Sequence, residues 1–397
     1  MPRWLLFLLF FTLALLILGG THYYFYRRLV VAPQLPPPWS AILRVTLIVL
    51  AFSFVLSFFI GRNLDVEVSR YLLYPIYVWL GVMLILFFAL LSVDFVRGIV
   101  WIGTRFGDGG SGIVDPQRRV FLARVIAGAV VGTTVAVGAI SLWRGLSRLA
   151  VKRIEVVLPR LPAAMDGFTI AQLSDLHLGP MRSGSWLREV VRRTNELEPD
   201  LVAITGDLAD VSVEKFARET AVLRDLDARQ GVFFVTGNHE YFYDLHGWLR
   251  YLGELGIRVL RNERVPIRRG EAAFDLAGVD DHEGGRLAPG HGADVSGAMR
   301  GRDPERAVVL LAHQPRAVKD AALHDVGLVL TGHTHGGQIW PWGCMVYLQQ
   351  PYVRGLHEHD GTQLYVSEGT GFWGPPMRLG STAEITLVTL RSPAHSE

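Results

Sequence analysis

Cysteine is almost absent from this sequence, since Cys344 is the only one among 397 residues. A single cysteine excludes an internal disulfide and a zinc site built from several thiolates. It does not indicate a compartment, because proteins without disulfides occur on both sides of a membrane. A strong charge excess is also absent: the formal net charge is +2, which gives no electrostatic reason to expect a nucleic-acid partner.

Charged residues are missing above all from four apolar stretches in the first third of the chain. These stretches are Trp4–Thr21, Val45–Gly61, Tyr71–Val93 and Val125–Trp143. Each is close to the ~20 residues that a helix needs to cross a bilayer, and none shows the polar stripe of a core helix. We therefore predict an all-α region of four transmembrane helices, at about residues 4–24, 42–61, 71–93 and 122–143.

The orientation of these helices is not readable from the flanking charges. Lys and Arg residues are nearly equal in number on the two sides, so the charge rule for loops favours neither. The first stretch could instead be a cleaved signal peptide, although its apolar run is long and no A-x-A site follows it. We expect a multi-pass protein of the cell membrane, with the side of its remaining domain undefined.

From about Lys152 the pattern changes to short apolar runs that alternate with helical stretches, which is typical of an α/β domain. We predict a membrane region at 1–150, a soluble domain at 151–391 and a tail at 392–397. Helices are expected at Trp186–Leu197 and Phe216–Leu226. The predicted buried strands are Phe168–Leu173, Leu201–Thr205, Val232–Thr236, Ala307–Ala312 and Val326–Thr331.

Each of these strands is followed by side chains that can bind a metal. They are Asp175, His177, Asp207, Asn238, His313, His333 and His335. Singly, they have ordinary explanations: Asp207 as a turn residue, Asn238 as a helix cap and His313 as a loop histidine. Because the carboxyl ends of strands in such a sheet line one edge, where ligands bind, we predict that all seven converge in one cleft.

Seven nitrogen and oxygen ligands are too many for one tetrahedral ion and suit two ions that share a carboxylate. Mixed imidazole and carboxylate ligands favour Mn, Fe or Zn over Ca or Mg. Such a centre stays positive, attracts a phosphate and lowers the pKa of bound water, which predicts hydrolysis of a phosphate ester. The leaving alkoxide needs a proton, and His239 is the candidate donor. The alternative is that His239 has no proton role.

The ordered motifs resemble those of the calcineurin-like metallophosphoesterase family. They are Asp175-x-His177, Gly206-Asp207-x-x-Asp210, Gly237-Asn238-His239-Glu240, His313 and Gly332-His333-x-His335. The segments GHTHGGQ at 332–338 and YVSEGTGFWGPPMR at 365–378 are similar to its membrane-anchored YkuE/YaeI-type branch. The resemblance implies a β-sandwich of mixed sheets flanked by helices, here preceded by the four-helix transmembrane region.

The resemblance also implies how the ligands divide between the two ions, with Asp207 bridging them. One ion would take Asp175, His177, Asp207 and His335, and the other would take Asp207, Asn238, His313 and His333. In the family pattern His239 protonates the leaving group or steadies the phosphate. Asp210 either orients a ligand through a hydrogen bond or caps the next helix. Arg182 either meets a phosphate oxygen or is a solvated loop residue.

The functional hypothesis is an integral-membrane, dinuclear, metal-dependent phosphoesterase. Its substrate would be a phosphodiester, pyrophosphate or phosphomonoester, with a phospholipid or lipid-linked nucleotide as one candidate. The aromatic residues between Gly337 and Pro376 could form a lip for a lipid, or they could pack as strand core. The alternatives are a transporter or sensor with a regulatory phosphoesterase domain, and a nucleotide or protein phosphatase.

Overall fold

Four helices lie over the four apolar stretches in the computed structural model, which describes residues 3–106 and 115–393. They are α1 (Arg3–Tyr26), α2 (Trp39–Asn63), α3 (Val66–Phe106) and α4 (Pro116–Ser147). A π-helical turn at Arg27–Val31 follows α1. Each helix is longer than predicted, and α3 extends the furthest beyond its uncharged run. The chain divides into two compact units near Trp143.

Three segments of these helices are long and apolar enough to cross a membrane: Trp39–Gly61, Val66–Phe106 and Pro116–Ser147. Large apolar side chains on them are exposed, among them Phe52 and Phe95. Such surfaces are costly in water and are expected against lipid. Among the described residues α1 is not one of these segments, so a fourth span stays a prediction.

Within the helical unit, apolar packing and a few polar contacts join the helices. One buried cluster takes residues from all four helices. Asp94 of α3 accepts hydrogen bonds from the Tyr24 hydroxyl at 2.6 Å and from Arg28 Nε at 2.9 Å. Trp79 Nε1 donates to His22 Nε2 at 3.1 Å. These polar side chains are therefore paired with one another across the helices.

Twelve strands build the described part of the second unit. In chain order, β1 to β12 are Leu149–Val157, Phe168–Leu173, Leu201–Thr205, Val232–Val235, Arg258–Val259, Glu263–Arg269, Ala272–Gly278, Val308–Leu311, Leu328–Thr331, Gly355–His359, Thr362–Val366 and Ala383–Arg391. They form two six-stranded sheets, ordered β1-β12-β2-β3-β4-β5 and β10-β11-β9-β8-β7-β6. Both sheets are mixed. In the first sheet only β12 and β2 pair antiparallel, and in the second a parallel set is flanked by the antiparallel pairs β10–β11 and β6–β7.

The sheets share one apolar core, and period-two alternation decides which side chains enter it. Val309 and Leu311 of β8 lie in a buried cluster that also contains Ile170 of β2, from the other sheet. The intervening Val308 and Leu310 lie in a second cluster with residues of the helices on the outer face. Both faces of β8 are therefore buried, which explains its continuous apolar run.

Helices and short helical turns connect the strands. The helices α5 to α12 are Gly184–Asn195, Val213–Thr220, Asn238–Tyr243, Leu245–Glu254, Gly284–Leu287, Val295–Met299, Val318–Ala322 and Gly343–Val346. The 3₁₀ turns are Ala163–Met165, Ala221–Asp225, Pro315–Ala317 and His335–Gly337. The predicted α/β class and mixed β-sandwich are confirmed.

The five predicted strands are β2, β3, β4, β8 and β9, with ends that differ by two residues at most. The expectation that they share one sheet edge was wrong, because β2 to β4 belong to one sheet and β8 and β9 to the other. Apolar runs of this length specify burial but not the partner strand. Of the predicted tail, residues 394–397 lie outside the described residues.

Candidate metal centre

The two sheets are joined by hydrogen bonds at the ends of their central strands. The Gln172 side chain donates to Thr205 Oγ1 at 2.9 Å in its own sheet and to the Thr331 carbonyl at 3.0 Å in the other sheet. His313 Nδ1 donates to the Thr205 carbonyl at 2.8 Å, again between sheets. The ligand-bearing loops of both sheets therefore begin from one connected layer.

Asp175, His177 and His335 form a first cluster of possible metal ligands. The Nε2 atoms of His177 and His335 lie 3.1 Å apart, and His335 Nε2 lies 3.5 Å from Asp175 Oδ1. Asp175 also accepts the His333 backbone N–H at 3.0 Å. The loop with the last predicted motif, Gly332-His333-x-His335, is thus hydrogen-bonded directly to the first motif at Asp175.

Asp207, His313 and His333 form a second cluster. His313 Nε2 lies 3.2 Å from Asp207 Oδ2 and 3.2 Å from His333 Nδ1. Asp207 Oδ2 also lies 3.7 Å from His177 Nε2, in the first cluster. One carboxylate oxygen is therefore placed between both sets of imidazoles, as a shared ligand requires.

The spacing and chemistry of these ligand atoms suit a shared divalent cation better than direct contact between the side chains. Ligand atoms about 2.1 Å from one cation lie about 3.0–3.4 Å apart, close to the spacings within each cluster. Burial opposes the charged form of His313, but Asp207 raises its pKa well above the ordinary value. Because Nδ1 donates to a carbonyl, the additional proton lies on Nε2 and faces Asp207 Oδ2, where a bound cation would replace it. Asn238 Oδ1 is buried and, among the described residues, has no hydrogen-bond partner. A cation would satisfy all three atoms.

Five of the predicted ligands have a left-handed backbone, with φ between 46° and 69°. They are Asp175, His177, Asp207, His333 and His335. This conformation is uncommon for residues other than glycine and persists where surrounding contacts hold it in place. The backbone at these positions is bent so that side chains leaving different strands point to one place.

Two predicted ligands, His333 and Asn238, each follow a glycine that lies too close to another loop to carry a side chain. A Cβ on Gly332 would overlap Ser174 Oγ and Asp175 Oδ2, and one on Gly237 would overlap Asp207 Oδ1. The glycines next to the His-x-His and Asn-His motifs therefore let one ligand-bearing loop rest directly on another.

Burial and the neighbouring charges set the protonation of these groups. Burial opposes ionisation of Asp207, but the surrounding imidazoles, His313 first, hold its pKa well below its ordinary value. Burial and then repulsion by His313 lower the pKa of His333 to about 3. Burial and then His177 hold the pKa of His335 well below its ordinary value. An ionised carboxylate and neutral imidazoles are the forms that bind a metal.

Asp210 joins two histidines, which favours the orienting role over the helix cap. Its Oδ1 accepts from His177 Nδ1 at 2.9 Å and from His239 Nδ1 at 2.7 Å. The residue before α6 is Ser212, so Asp210 does not cap that helix. With both Nδ1 atoms engaged, Nε2 of each ring is turned towards Asp207 Oδ2, at 3.7 Å for His177 and 3.9 Å for His239.

Burial opposes the charged form of His239, but Asp207 and then Asp210 raise its pKa to about 9. The imidazole is therefore stabilised in its protonated form next to the clusters. His239 belongs to neither ligand cluster. It forms a third group with Asp210 and with His177, which is also a member of the first cluster.

Glu240 supports the site, although the sequence prediction gave it no role. Its buried carboxylate accepts three backbone N–H groups, from Gly237 at 2.6 Å, Leu208 at 2.8 Å and Asp207 at 3.1 Å. It fastens the loop that carries Asp207 to the loop that carries Asn238. Its place in the Gly-Asn-His-Glu motif was the only available signal.

Two arginines are buried near the site. Arg378, at the end of the 365–378 motif, donates to the carbonyls of His335, Gly369 and Gly371. Arg182 is not a solvated loop residue, because its guanidinium lies between the rings of Trp186 and Phe372, 4.1 and 4.0 Å from their centroids. Phe372 beside Arg182 and His335 beside Arg378 come from distant segments, so local sequence could not indicate that these arginines are buried.

Comparison with known proteins agrees with this geometry. Residues 168–337 match the calcineurin-like phosphoesterase family. A Danio rerio protein named transmembrane protein with metallophosphoesterase domain is 35% identical, over 91% of this chain and 82% of its own length. An uncharacterized metallophosphoesterase of Aquifex aeolicus is 37% identical, over 61% of this chain and 92% of its own. YkuE of Bacillus subtilis is 29% identical, over 70% and 98%.

The chain belongs to the calcineurin-like metallophosphoesterase family, whose members are metal-dependent phosphoric ester hydrolases. Within the family it is similar to the transmembrane protein of Danio rerio and to YkuE, and it carries helices apolar enough to span a membrane. The predicted family, branch and enzyme class are confirmed. The role of each site residue stays a prediction.

Replacing Gly332 with alanine should weaken metal binding, because the new Cβ separates the His333 loop from Ser174 and Asp175. Loss of such supporting contacts typically costs about 10–100-fold in metal affinity. The matched control is Gly253→Ala in α8, where a Cβ has open space. Titration of both purified variants with Mn²⁺ measures the difference, and equal affinities would show that the close approach is not needed.

Proposed function

We propose that this protein is an integral-membrane, dinuclear phosphoesterase that cleaves a phosphodiester, pyrophosphate or phosphomonoester. The observation that carries the proposal is the convergence of two ligand clusters on the Asp207 carboxylate. Three apolar helices of the same chain support a multi-pass arrangement in the cell membrane, and α1 would be the fourth span.

Asp175, His177 and His335 would hold one cation, and Asn238, His313 and His333 would hold the other, with Asp207 shared. The contacts within each cluster and the partnerless Asn238 Oδ1 support this division. Two Mn, Fe or Zn ions would supply Lewis acidity and an activated water for in-line displacement at phosphorus. The chain's own part is to hold two neutral imidazoles around each position, with two carboxylates at the first and one carboxylate and the Asn238 amide oxygen at the second.

His239 would give its proton to the departing oxygen. Its Nδ1 donates to Asp210, so Nε2 is the atom left to face the reaction site. The backbone N–H of His239 donates to Asp207 Oδ1 at 2.9 Å, which fixes the position of the ring relative to the shared ligand. Asp210 acts here as a positioning residue, since it holds a ligand and the proton donor through one oxygen.

A cavity beside the site supports a substrate larger than phosphate itself. It has a volume of about 560 Å³, and its wall includes the ligand His313 together with Arg316 and Lys319. Apolar groups of Val295 and Leu348 also line it. Pockets of this size hold drug-sized ligands, and the two cations favour an anionic group.

The aromatic segment after the last motif supports a membrane-borne substrate. Trp340, Trp342, Tyr347 and Leu348 are exposed by 48–76%, whereas Tyr365 and Phe372 are buried. The segment is thus divided between the two predicted roles, strand core and exposed lip. Trp and Tyr side chains prefer the membrane–water interface, which fits an enzyme tethered to a bilayer by its own helices.

Replacing Asp207 with asparagine should reduce hydrolysis of bis-p-nitrophenyl phosphate in Mn²⁺ below detection, because both cation sites lose their shared charge. The control is Asp360→Asn, whose carboxylate is 85% exposed. Initial rates of the full-length protein in detergent measure the effect. Equal activity in the two variants would remove the basis for the assignment.

Replacing His239 with glutamine should make the rate depend steeply on how basic the leaving group is. A general acid contributes about 10²–10⁴-fold for an alkoxide-like leaving group and little for a weakly basic one. A series of methyl aryl phosphate diesters, from p-nitrophenol to phenol, measures this dependence. A uniform loss across the series would assign His239 to phosphate binding instead.

A further inference from the structure

Three aromatic side chains, Phe242, Tyr243 and Trp373, surround the imidazole of His239, and we name them the aromatic rim. Their ring centroids lie 5.6, 6.0 and 6.0 Å from that of His239. His239 is buried, but the rim residues are exposed by 56%, 49% and 57%. A nearly enclosed polar ring therefore lies within a partly exposed aromatic surface.

The aromatic rim is not required by the packing of its own elements. Phe242 and Tyr243 end α7, while the next helix, α8, buries Trp248 and Leu252 against the domain. Exposed aromatic rings lose the free energy that burial would provide, so three beside a reactive group indicate a ligand that covers them.

Trp373 is held in place by a side chain from the motif loop. Gln338 Nε2 donates to the Trp373 carbonyl at 2.9 Å, and the Trp373 N–H donates to Gln338 Oε1 at 3.0 Å. Two residues further on, Trp340 is 67% exposed. The loop that holds Trp373 therefore leads directly into the exposed aromatic segment of residues 340–348.

We propose that the aromatic rim binds the apolar part of the leaving alcohol of a lipid phosphate ester. The inference rests on the proposed function, in which His239 protonates the leaving oxygen. A proton donor must lie within hydrogen-bond reach of that oxygen, so the carbon atoms attached to it have to pass the surrounding rings. The rim would therefore select the leaving alcohol, whereas the cations would select the phosphate group.

A hydrocarbon chain is favoured over a nucleobase by the location of the enzyme. Aromatic side chains stack on bases as readily as they contact acyl chains. This chain, however, carries three helices apolar enough to lie in a bilayer, and lipid is the apolar ligand always present there. The same loop also exposes Trp340, Trp342 and Leu348, which are suited to contact with lipid.

The test uses alkylphosphonates as inhibitors of bis-p-nitrophenyl phosphate hydrolysis by the full-length, Mn²⁺-loaded protein in nanodiscs. Seven methylenes separate methylphosphonate from octylphosphonate, and burial of about half of their surface predicts a roughly 100-fold lower Ki for the longer one. In the double variant Phe242→Ser, Trp373→Ser the ratio of the two Ki values should fall below about 10-fold. For each variant, the Ki of octylphosphonate is compared with the Ki of methylphosphonate measured on the same variant.

Two controls separate the rim from general effects. Leu323→Ser removes an apolar side chain that is 81% exposed and lies after α11, and it should keep the full ratio. Phe242→Leu keeps an apolar side chain in the rim and should largely keep it as well. The conservative variant also shows whether a lost ratio in the serine variant reflects damage to α7.

The inference is overturned by a ratio near one in the unmodified protein, or by a ratio that the double serine variant leaves unchanged. Tighter inhibition by uridine 5′-monophosphate than by octylphosphonate would also overturn it in favour of a base. Absence of any bis-p-nitrophenyl phosphate hydrolysis is a different result, since it would refute the proposed function and not the rim alone.

Discussion

The charge on Asp207 is the constraint on which the rest of the site depends. Its Oδ2 faces imidazoles of both clusters, its Oδ1 accepts the His239 N–H, and its own N–H donates to Glu240. A buried carboxylate is costly unless cations or donors surround it. Loops from both sheets, the predicted ligands and the proposed proton donor His239 are arranged around this one group, so a change there reaches every part of the site.

Metal binding and folding are coupled in such an arrangement. Five ligands with left-handed backbones and a buried acceptor without a partner are unfavourable in the isolated chain. Cations that bind only the folded arrangement offset these costs by mass action. Buried supports such as Glu240 and Arg378 hold the loops through backbone groups. The loops are therefore held in place before substrate binds, and the groups they carry already face the positions where charge would develop during the reaction.

Much of this site could be predicted from sequence because each motif directly follows an apolar run. The runs at 168–173 and 201–205 became strands with the predicted ends, and all seven predicted ligands lie in or beside the two clusters. The assignment of the five predicted strands to one sheet was wrong, since strand pairing is not local: that of β2 with β12, for example, joins segments over 200 residues apart. Arg182 was misjudged for the same reason, because its aromatic partner Phe372 is contributed by a distant segment. The exposure of Trp340 and the burial of Phe372 depend equally on tertiary structure.

The chain combines helices apolar enough to span a membrane with a metallophosphoesterase domain. The proposed mechanism requires two cations around one shared carboxylate, because a single ion would leave one cluster of ligand atoms without a cation. Elemental analysis of the purified full-length protein, titrated with Mn²⁺ to saturation, tests this most directly. Two equivalents of metal per chain is the predicted result, and saturation at one equivalent would contradict the account.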